Sequence, residues 1–345
     1  MPPSRSSAEA LLRRVWRRRG TGALFLYPVS IVFASLVALR RALYRLGILR
    51  DESLPVPVVV VGNISVGGSG KTPLVLHLAR ALRAAGARPA IVSRGYRSDA
   101  DVVREVGPTD DPGRVGDEPL LLRQRSDCPV FVGADRVAAC RAVLAAHPDT
   151  SLILSDDGLQ HYRLRRRIEI AVVDVPALGN RLPLPSGPLR EPASRLDEVD
   201  AVVMMLEAEG AVPPGLTFRA PTFVARRRPG EFRDVAGKGL TPGPAELRSA
   251  RWHAVAGIAE PERFFAQLAA AGIAFEAHAF GDHHAYRAEE LRFAGDGILT
   301  TEKDAVKLAR LDLALPVWVL PLELDVVPDL ARHLLEMLKN GRAPA

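Results

Sequence analysis

A glycine-rich segment near residue 65 has the residue types that bind phosphate. It comprises Ser65, Val66, Gly67, Gly68, Ser69, Gly70, Lys71 and Thr72, and it follows a run of valines that ends at Gly62-Asn63. Glycines let successive backbone N–H groups approach one anion, and the start of a following helix adds partial positive charge. The segment therefore predicts a nucleotide-binding phosphate loop between a strand and a helix.

Two side chains of this loop have predicted roles. Lys71 is expected to reach the β- and γ-phosphates of the nucleotide, and the hydroxyl of Thr72 is expected to hold Mg²⁺. The usual pattern of such loops begins with glycine, whereas this sequence has Ser65 at that position. The residues alone leave an ordinary glycine-rich strand–helix turn as the alternative, although GGSGKT directly after a buried strand favours the nucleotide site.

A second group of chemically active residues follows a later apolar run. The segment SLILSDD places Asp156 and Asp157 where a strand should end. A carboxylate at the end of a strand beside the phosphate loop can hold Mg²⁺ directly or through water. The two residues are therefore the predicted acidic metal ligands, with a solvated turn as the alternative.

Short β-branched runs alternate with helical periodicity around these residues. Strands are predicted at 56–61, 90–93, 130–132, 152–154, 168–174 and 201–206, and helices at 72–85 and 135–146. A second unit has predicted strands at 253–258, 275–280, 298–301 and 317–321 and helices at 261–271 and 328–338. The pattern predicts the α/β class: a doubly wound, mostly parallel sheet of the P-loop NTPase type, with a smaller C-terminal α/β domain.

The chain is accordingly divided into four parts. They are a basic and apolar segment (1–50), a P-loop nucleotide-binding domain (51–210), a linker region rich in proline and glycine (211–250), and a smaller C-terminal α/β domain that closes the cleft (251–345).

The N-terminal segment carries most of the positive charge. Residues 1–50 contain ten arginines and one acidic residue, Glu9, whereas the other 295 residues have 36 basic and 39 acidic side chains. Residues 22–39 have no charged side chain, and arginines flank them on both sides. Basic residues at both ends favour a helix that lies in, or dips into, an anionic membrane surface. A true membrane span and a buried helix of the soluble fold remain the alternatives.

The composition excludes a disordered or a fibrous protein. With 345 residues, of which 48% are hydrophobic and 25% charged, the chain can bury a large core. The near-neutral body argues against nucleic acid as a partner, and no feature implies a protein partner. Two cysteines, Cys128 and Cys140, are too few for a disulfide framework.

Seven ordered motifs resemble one family of enzymes. They are GNISVGGSGKTP (62–73), SRGYR (93–97), VGDEP (115–119), DDGLQH (156–161), GPLREP (187–192), GDHHAY (281–286) and TTEKDAVKL (300–308). Together they are similar to the tetraacyldisaccharide 4′-kinases, the lipid A 4′-kinases of Gram-negative bacteria, in which Ser65 is the usual residue at its position. The basic and apolar N-terminus matches that family too.

This resemblance implies a function and a location. The function is transfer of the γ-phosphate of ATP, with Mg²⁺, to the 4′-hydroxyl of a tetraacylated glucosamine disaccharide 1-phosphate in lipid A biosynthesis. The location is the cytoplasmic face of the inner membrane, where a peripheral or re-entrant anchor would hold the enzyme beside its lipid substrate.

The resemblance also implies roles for individual residues. Asp117 matches the family's catalytic aspartate and is the expected base for the acceptor hydroxyl, and His283 matches the histidine that orients it. The residues expected on the acceptor side are Arg94, Tyr96, His161, Arg190 and Glu191. Glu302, Lys303 and Asp304 belong to a motif whose role the sequence does not indicate.

A membrane-recruited P-loop ATPase or GTPase without a lipid acceptor is the alternative function. Partition ATPases with a GGxGKT loop carry a lysine where this chain has Val66, and TEKD does not fit the guanine-binding pattern [NT]-K-x-D. A requirement for a lipid acceptor in ATP turnover would separate the two functions.

Overall fold

The computed structural model describes residues 12–68, 70–95, 102–213, 216–235 and 242–340. The strands in these ranges are β1 (Val58–Gly62), β2 (Pro89–Ser93), β3 (Arg104–Glu105), β4 (Val130–Val132), β5 (Leu152–Asp156), β6 (Ile168–Asp174), β7 (Ala201–Glu207), β8 (Thr222–Pro229), β9 (Arg233–Asp234), β10 (Trp252–Ala256), β11 (Phe275–Ala279), β12 (Gly297–Thr301), β13 (Val317–Leu320) and β14 (Leu322–Val327). They form two sheets.

The main helices cover the faces of these sheets or precede them. They are α1 (Thr21–Arg45), α2 (Lys71–Ala84), α3 (Pro112–Val115), α4 (Asp117–Ser126), α5 (Arg136–Ala146), α6 (Pro244–Ser249), α7 (Pro261–Ala270), α8 (Glu302–Leu308) and α9 (Leu330–Lys339). Short 3₁₀ turns lie at Pro176–Leu178, Ala193–Asp197 and Ala288–Leu291.

The larger sheet has the strand order β14-β8-β7-β6-β1-β5-β2-β4-β3. Seven central strands are parallel, and β14 and β3 are antiparallel at the two edges. All five residues of β1 are buried, as expected for a β-branched strand covered on both faces. One apolar core lies between the sheet and α2, α4 and α9, and a second lies beneath α5. This arrangement confirms the predicted doubly wound, mostly parallel fold.

The smaller sheet has the strand order β11-β10-β12-β13-β9, and β9 alone is antiparallel. Apolar side chains of β10 and α7 fill one of its faces, including Trp252, Phe264 and Leu268. Val255, Tyr286 and Ile298 lie in the core on the other face. The second α/β unit predicted from the sequence is therefore present.

The path of the chain between the sheets differs from the sequence-based division. Strand β8 lies within the predicted linker, 211–250, yet it pairs with β7 in the larger sheet. Strand β14 and helix α9 follow the second unit in sequence, but β14 pairs with β8 and α9 packs on α2. The chain thus crosses twice between the sheets, because the apolar side chains of β14 and α9 pack into the core of the larger one.

Helix α1 lies along the outside of the larger unit. It is the one helix among the described residues that is long and apolar enough to cross a membrane, with a mean hydropathy of 2.1 over 18 residues of which 11% are buried. Its apolar side chains are mostly exposed, and Phe25 is 85% exposed. A narrow stripe with Ala23 and Ser30 is buried against the protein.

Candidate active site

The glycine-rich loop connects β1 to α2, as the sequence predicts. Gly67 and Gly70 have φ values of 108° and 84°, in the left-handed region that side chains disfavour. A Cβ added to Gly67 or Gly68 would meet open space, whereas one on Gly70 would lie 2.6 Å from Cε of Met205. Glycine is thus required by conformation at Gly67 and Gly70. The loop leaves open space beside Gly67 and Gly68 for a ligand, and Ser69 lies outside the described residues.

Lys71 begins α2 and reaches back across the loop. Its Nζ donates to Oδ1 of Asn63 at 3.2 Å and lies 3.5 Å from Oδ1 of Asp157. Its side chain is 12% exposed, and Thr72 follows it in the first turn of the helix. The sequence analysis did not assign Asn63, although it stands in the GNIS part of the motif and holds the lysine in place.

Asp156 is the last residue of β5 and is in register with Val61 of β1, and Asp157 follows the strand with a φ of 51°. Asp156 is 2% exposed, and burial, followed by the charges of Glu118 and Asp157, raises its pKa to about 7. Burial also acts to raise the pKa of Asp157, but Lys71 and Arg190 outweigh it and the pKa is lowered. The two neighbouring carboxyls therefore differ: that of Asp156 is buried and has no ion pair with any described residue, whereas that of Asp157 is paired with Lys71 and Arg190.

The carboxyl of Asp156 fits a cation site. Its Oδ1 is buried and accepts no hydrogen bond from the described residues, and Oδ2 accepts one from Ser93 at 3.4 Å. A buried carboxylate oxygen without a partner is costly unless a proton or a cation satisfies it. Because Mg²⁺ prefers carboxylate and hydroxyl oxygens, Asp156, Asp157 and Thr72 are suitable candidates to hold it.

The loop that carries Arg190 and Glu191 lies against the phosphate loop. The backbone N–H of Arg190 donates to the carbonyl of Ile64 at 2.7 Å, and the N–H of Val66 donates to Pro188 at 2.8 Å. The guanidinium of Arg190 contacts both carboxylate oxygens of Asp157 at 3.3 Å. Arg190 is thus positioned beside the predicted phosphate and metal groups.

Glu191 points into the protein. It is 1% exposed and accepts hydrogen bonds from Gln160 and Tyr162, each at 2.7 Å, and it pairs with Arg195 at 3.2 Å. Its observed contacts hold the loop in place.

The remaining residues expected on the acceptor side are spread around the same edge of the sheet. Arg94 is exposed at the end of β2, and Tyr96 lies outside the described residues. Burial and the charges of Arg136 and Arg166 lower the pKa of His161 to about 4, so this ring is neutral. Nε2 of His161 is buried and has no hydrogen-bond partner among the described residues.

Asp117 and His283 meet across the two units, although 166 positions separate them. Asp117 is the first residue of α4, and His283 follows β11 with a φ of 63°. Nδ1 of His283 lies 3.0 Å from Oδ2 of Asp117, and the two side chains are 16% and 10% exposed. The contact predicted from the family resemblance is present, and helix packing between the two units produces it.

Two lysines of α8 also contact this pair, and the sequence analysis assigned neither. Nζ of Lys307 lies 3.1 Å from Oδ2 of Asp117, and Nζ of Lys303 lies 3.2 Å from Nε2 of His283. Burial acts to raise the pKa of Asp117, but hydrogen bonding to His283 and the charge of Lys307 outweigh it and lower the pKa. The available signal was the four-residue spacing of the lysines in EKDAVK, which places both on one helical face.

The adjacent residue, His284, has different surroundings. Its Nε2 lies 3.2 Å from Glu290, and its ring packs against Phe280 and Tyr286 with centroid separations of 4.8 and 5.0 Å. The left-handed conformation at His283 directs the two imidazoles to different places. The structure therefore gives these neighbouring histidines different surroundings, which the local residue pattern does not predict.

The rest of the TTEKD motif is structural. Thr301 caps α8 by accepting from the N–H of Asp304, and Asp304 is fully buried and accepts from the N–H of Gly257 at 2.9 Å. The carbonyl of Gly257 in turn accepts the N–H of His283 at 3.1 Å. The motif therefore fixes α8 and the backbone of His283 together.

The acid–base pair lies close to the candidate metal site at the end of β5. Glu118, next to Asp117, lies 3.6 Å from Lys303 and is close enough to raise the pKa of Asp156. A phosphate loop and a candidate metal site with a carboxylate–imidazole pair nearby suit phosphoryl transfer to a hydroxyl group.

The comparisons with known proteins agree on one family. A family model described as tetraacyldisaccharide-1-P 4′-kinase matches residues 22–339. A tetraacyldisaccharide 4′-kinase from Azoarcus sp. (strain BH72) is 52% identical over 96% of each chain. One from Aromatoleum aromaticum is 48% identical over 96% of this chain and 98% of the relative.

A solved structure is similar over most of the chain. It is the crystal structure of the "apo" form of LpxK from Aquifex aeolicus in complex with ATP. The TM-score is 0.78 at 28% identity, covering 92% of this chain and 99% of that one. The similarity therefore includes both units of the fold.

Proposed function

The chain belongs to the tetraacyldisaccharide-1-P 4′-kinase family, and we propose on this basis that it transfers the γ-phosphate of ATP to the 4′-hydroxyl of a tetraacylated glucosamine disaccharide 1-phosphate. This transfer is a step of lipid A biosynthesis. The geometric observation that supports it best is the 3.0 Å contact between Nδ1 of His283 and Oδ2 of Asp117. A nucleotide switch that only hydrolyses its ligand is not favoured by the family or by the named relatives.

The proposed nucleotide site consists of residues 65–72. Backbone N–H groups of the loop would surround the phosphates, and Lys71 would exchange Asn63 and Asp157 for the β- and γ-phosphates. Thr72, Asp156 and Asp157 would hold Mg²⁺, which supplies positive charge against the charge that develops on the transferring group. The pKa of the Asp156 carboxyl is raised to about 7. Because a metal binds the deprotonated form, metal binding would release a proton from Asp156.

On the acceptor side, Asp117 is the proposed base. Its pKa is lowered, so it is ionised at neutral pH and ready to accept the proton of the 4′-hydroxyl as the new bond to phosphorus forms. Arg190, beside Asp157, is proposed to stabilise charge on the transferring phosphoryl group or on the acceptor's 1-phosphate. Arg94, Tyr96, His161 and Glu191 are proposed to shape the acceptor site, Glu191 by holding its loop.

The surroundings of α1 suit the acyl chains of the acceptor. A groove of about 330 Å³ lies between α1 and the loop that carries Arg190, with Tyr27, Ile31, Ala34 and Pro183 among its lining residues. This mostly apolar groove opens beside the exposed face of the helix, and it could receive part of an acyl chain.

The functional test is transfer of label from [γ-³²P]ATP to a tetraacyl disaccharide 1-phosphate in detergent micelles. Label in the lipid product, and ADP release that depends on the lipid, are expected. The matched control is the same disaccharide without its 4′-hydroxyl, which should receive no label. ADP release at the same rate without lipid would instead support the nucleotide switch.

We also propose that α1 anchors the protein at the cytoplasmic face of the inner membrane as an interfacial or re-entrant helix. Contacts to the protein body occur at both of its ends: Trp16, just before it, donates to Pro185 at 2.9 Å, and Arg45, its last residue, donates to Glu198 at 2.6 Å. A spanning helix would place its two ends on opposite sides of the bilayer. Contact at both ends therefore supports a helix that lies along the membrane surface.

Flotation with lipid vesicles tests this anchor. Binding is expected with anionic vesicles and should weaken as salt rises, because the arginines interact with head groups. Phe25→Glu should weaken binding by about tenfold, since it places a charge in the proposed apolar contact, whereas the control Val102→Glu, an exposed valine on the larger unit, should bind like the wild type. Retention at high salt and after alkaline extraction would instead indicate a true span.

A further inference from the structure

Helix α8 brings two ammonium groups to the candidate acid–base pair. Lys303 and Lys307 are four residues apart, so one face of the helix presents both. Their side chains are 18% and 10% exposed. Neither lysine has a role in the proposed transfer described so far, and each contacts one member of the candidate acid–base pair, Lys303 contacting His283 and Lys307 contacting Asp117.

Lys307 and His283 share one oxygen of Asp117. Nζ of Lys307 and Nδ1 of His283 lie 3.1 and 3.0 Å from Oδ2. Among the described residues, these hydrogen bonds to Asp117 converge on Oδ2, and Oδ1 receives none. Two donors on one oxygen fix the plane of the carboxylate and leave the other oxygen for a third partner.

Lys303 determines which nitrogen of His283 carries the proton. An ammonium group can only donate, so Nε2, at 3.2 Å, must be the acceptor in this contact. Nδ1 then carries the hydrogen and donates it to Asp117. Burial acts to lower the pKa of Lys303, but Glu118, Asp282 and Asp117 outweigh it and raise the pKa, so the group stays charged.

The position of α8 is itself fixed relative to His283. Asp304, between the two lysines, accepts the N–H of Gly257, and the carbonyl of Gly257 accepts the N–H of His283. Gly257 therefore links α8 to the backbone of His283, which holds the lysines beside the histidine.

We infer that Lys303 and Lys307 are positioning residues of the phosphoryl transfer. Lys303 holds His283 as the neutral Nδ1–H tautomer, and Lys307 with His283 saturates Oδ2 of Asp117, so that Oδ1 is the oxygen that takes the acceptor's proton. This inference rests on the proposed function and assigns a role to the TTEKD motif.

The bonds and the proton of the proposed phosphoryl transfer balance. The 4′-oxygen forms a bond to the γ-phosphorus of ATP, and the bond from that phosphorus to the β–γ bridging oxygen breaks, so ADP leaves with the bonding electrons. The proton of the 4′-hydroxyl moves to Oδ1 of Asp117. His283 keeps its proton throughout, and both lysines remain ammonium ions.

Steady-state kinetics of four variants and one control provide the first test. Lys303→Met and Lys307→Met should each lower kcat by about tenfold, a part of the 10²–10⁴-fold that general base catalysis contributes, with little change in KM for ATP. Lys303→Arg and Lys307→Arg should recover most of that loss, because they keep the donor and its charge. Lys339→Met, an exposed lysine at the end of α9, should match the wild type.

The tautomer of His283 is the second measurement, and a merely structural role would not change it. In ¹H–¹⁵N spectra of histidine-labelled protein, with the signal assigned by His283→Asn, the wild type should show the Nδ1–H form. Lys303→Met should show a mixture of tautomers while the thermal transition stays within a few degrees of the wild type. A Lys303→Met protein that keeps the pure Nδ1–H form would overturn the role of Lys303.

The kinetic outcomes separate this inference from the proposed function. If the wild type phosphorylates the lipid and both methionine variants stay within about twofold of it, well below the contribution of general base catalysis, the positioning roles are wrong and the function stands. If the wild type transfers no label, the proposed function itself fails. If Lys307→Arg is as slow as Lys307→Met, the charge-and-donor role of Lys307 is wrong.

Discussion

The two sides of the candidate cleft are assembled in different ways. The nucleotide side comes from one short segment, residues 62–73, together with the end of the neighbouring strand β5. The acid–base side joins the start of α4 to a loop and a helix of the second unit, 166 positions or more further along the chain. Local backbone conformation forms the first side, whereas packing between two sheets forms the second.

This difference has consequences for the effects of substitutions. A change on the nucleotide side should impair ATP binding and turnover together, because one loop contacts the phosphates in both the ground state and the transition state. A change on the acid–base side should lower turnover alone, and it can act from a distance by altering how the two units pack. The following substitutions test that contrast.

The largest effect is expected from Lys71→Ala. It removes the charge that the proposed site places on the β- and γ-phosphates, and loss of such a group should lower kcat/KM by about 10³-fold. Calorimetric titration with ATP should show weakened binding as well. The thermal transition without nucleotide should change little, because the polar contacts of Lys71 among the described residues are limited to Asn63 and Asp157. Turnover close to that of the wild type would remove the phosphate-loop assignment.

Asp117→Asn and His283→Ala should each lower kcat by about 10²-fold and leave KM for ATP nearly unchanged. The two residues share one hydrogen bond of 3.0 Å, and His283 is proposed to act on the transferred proton only by orienting Asp117. The double variant should therefore be little slower than the slower single variant, as a double-mutant cycle of kcat would show. Fully additive losses would mean that the two residues act independently.

Arg125→Met should produce a smaller effect from outside the site. Arg125 lies in the last turn of α4, is 10% exposed, and pairs with Glu302 of α8 and with Glu323 of β14 at 2.8 Å. Its loss should loosen α4 against the second unit and lower kcat by about tenfold through misplacement of Asp117. Arg123→Met, on the same helix but with no ion pair among the described residues, is the matched control. A rise in KM for ATP at constant kcat would contradict the contrast between the two sides.

His284→Ala should have the smallest effect on turnover, within about threefold of the wild type, since the ring packs against Phe280 and Tyr286 and pairs with Glu290. Loss of these contacts should instead lower the free energy of unfolding by about 1–2 kcal/mol. Denaturant titration and steady-state kinetics on the same preparation would measure both. If the His284 variant were slow and the His283 variant nearly normal, the orienting role would belong to His284 and not to His283.

Much of the fold and of the nucleotide side was predictable from the sequence. Each of the main signals follows from a local requirement. The valines of β1 are buried on both faces of a strand, and the glycines at positions 67 and 70 have a left-handed backbone. Asp156 and Asp157 lie where β5 ends beside the loop. Hydrophobic periodicity likewise predicted most strands of both units. Strands β8 and β14 were not predicted, because a segment rich in proline and glycine conceals the first and β14 pairs with β8 from far along the chain.

Tertiary structure alone decided the acid–base side. Family resemblance could name Asp117 and His283, but nothing local distinguishes His283 from His284 or indicates that Lys303 and Lys307 reach the pair. A φ of 63° at His283 separates the two imidazoles, and the packing of α8 on α4 brings in the lysines. The physical reason is that a phosphate loop depends on the conformation of consecutive residues, which their own types determine. A hydrogen bond between distant side chains instead depends on the relative position of two packed units, to which the whole core contributes.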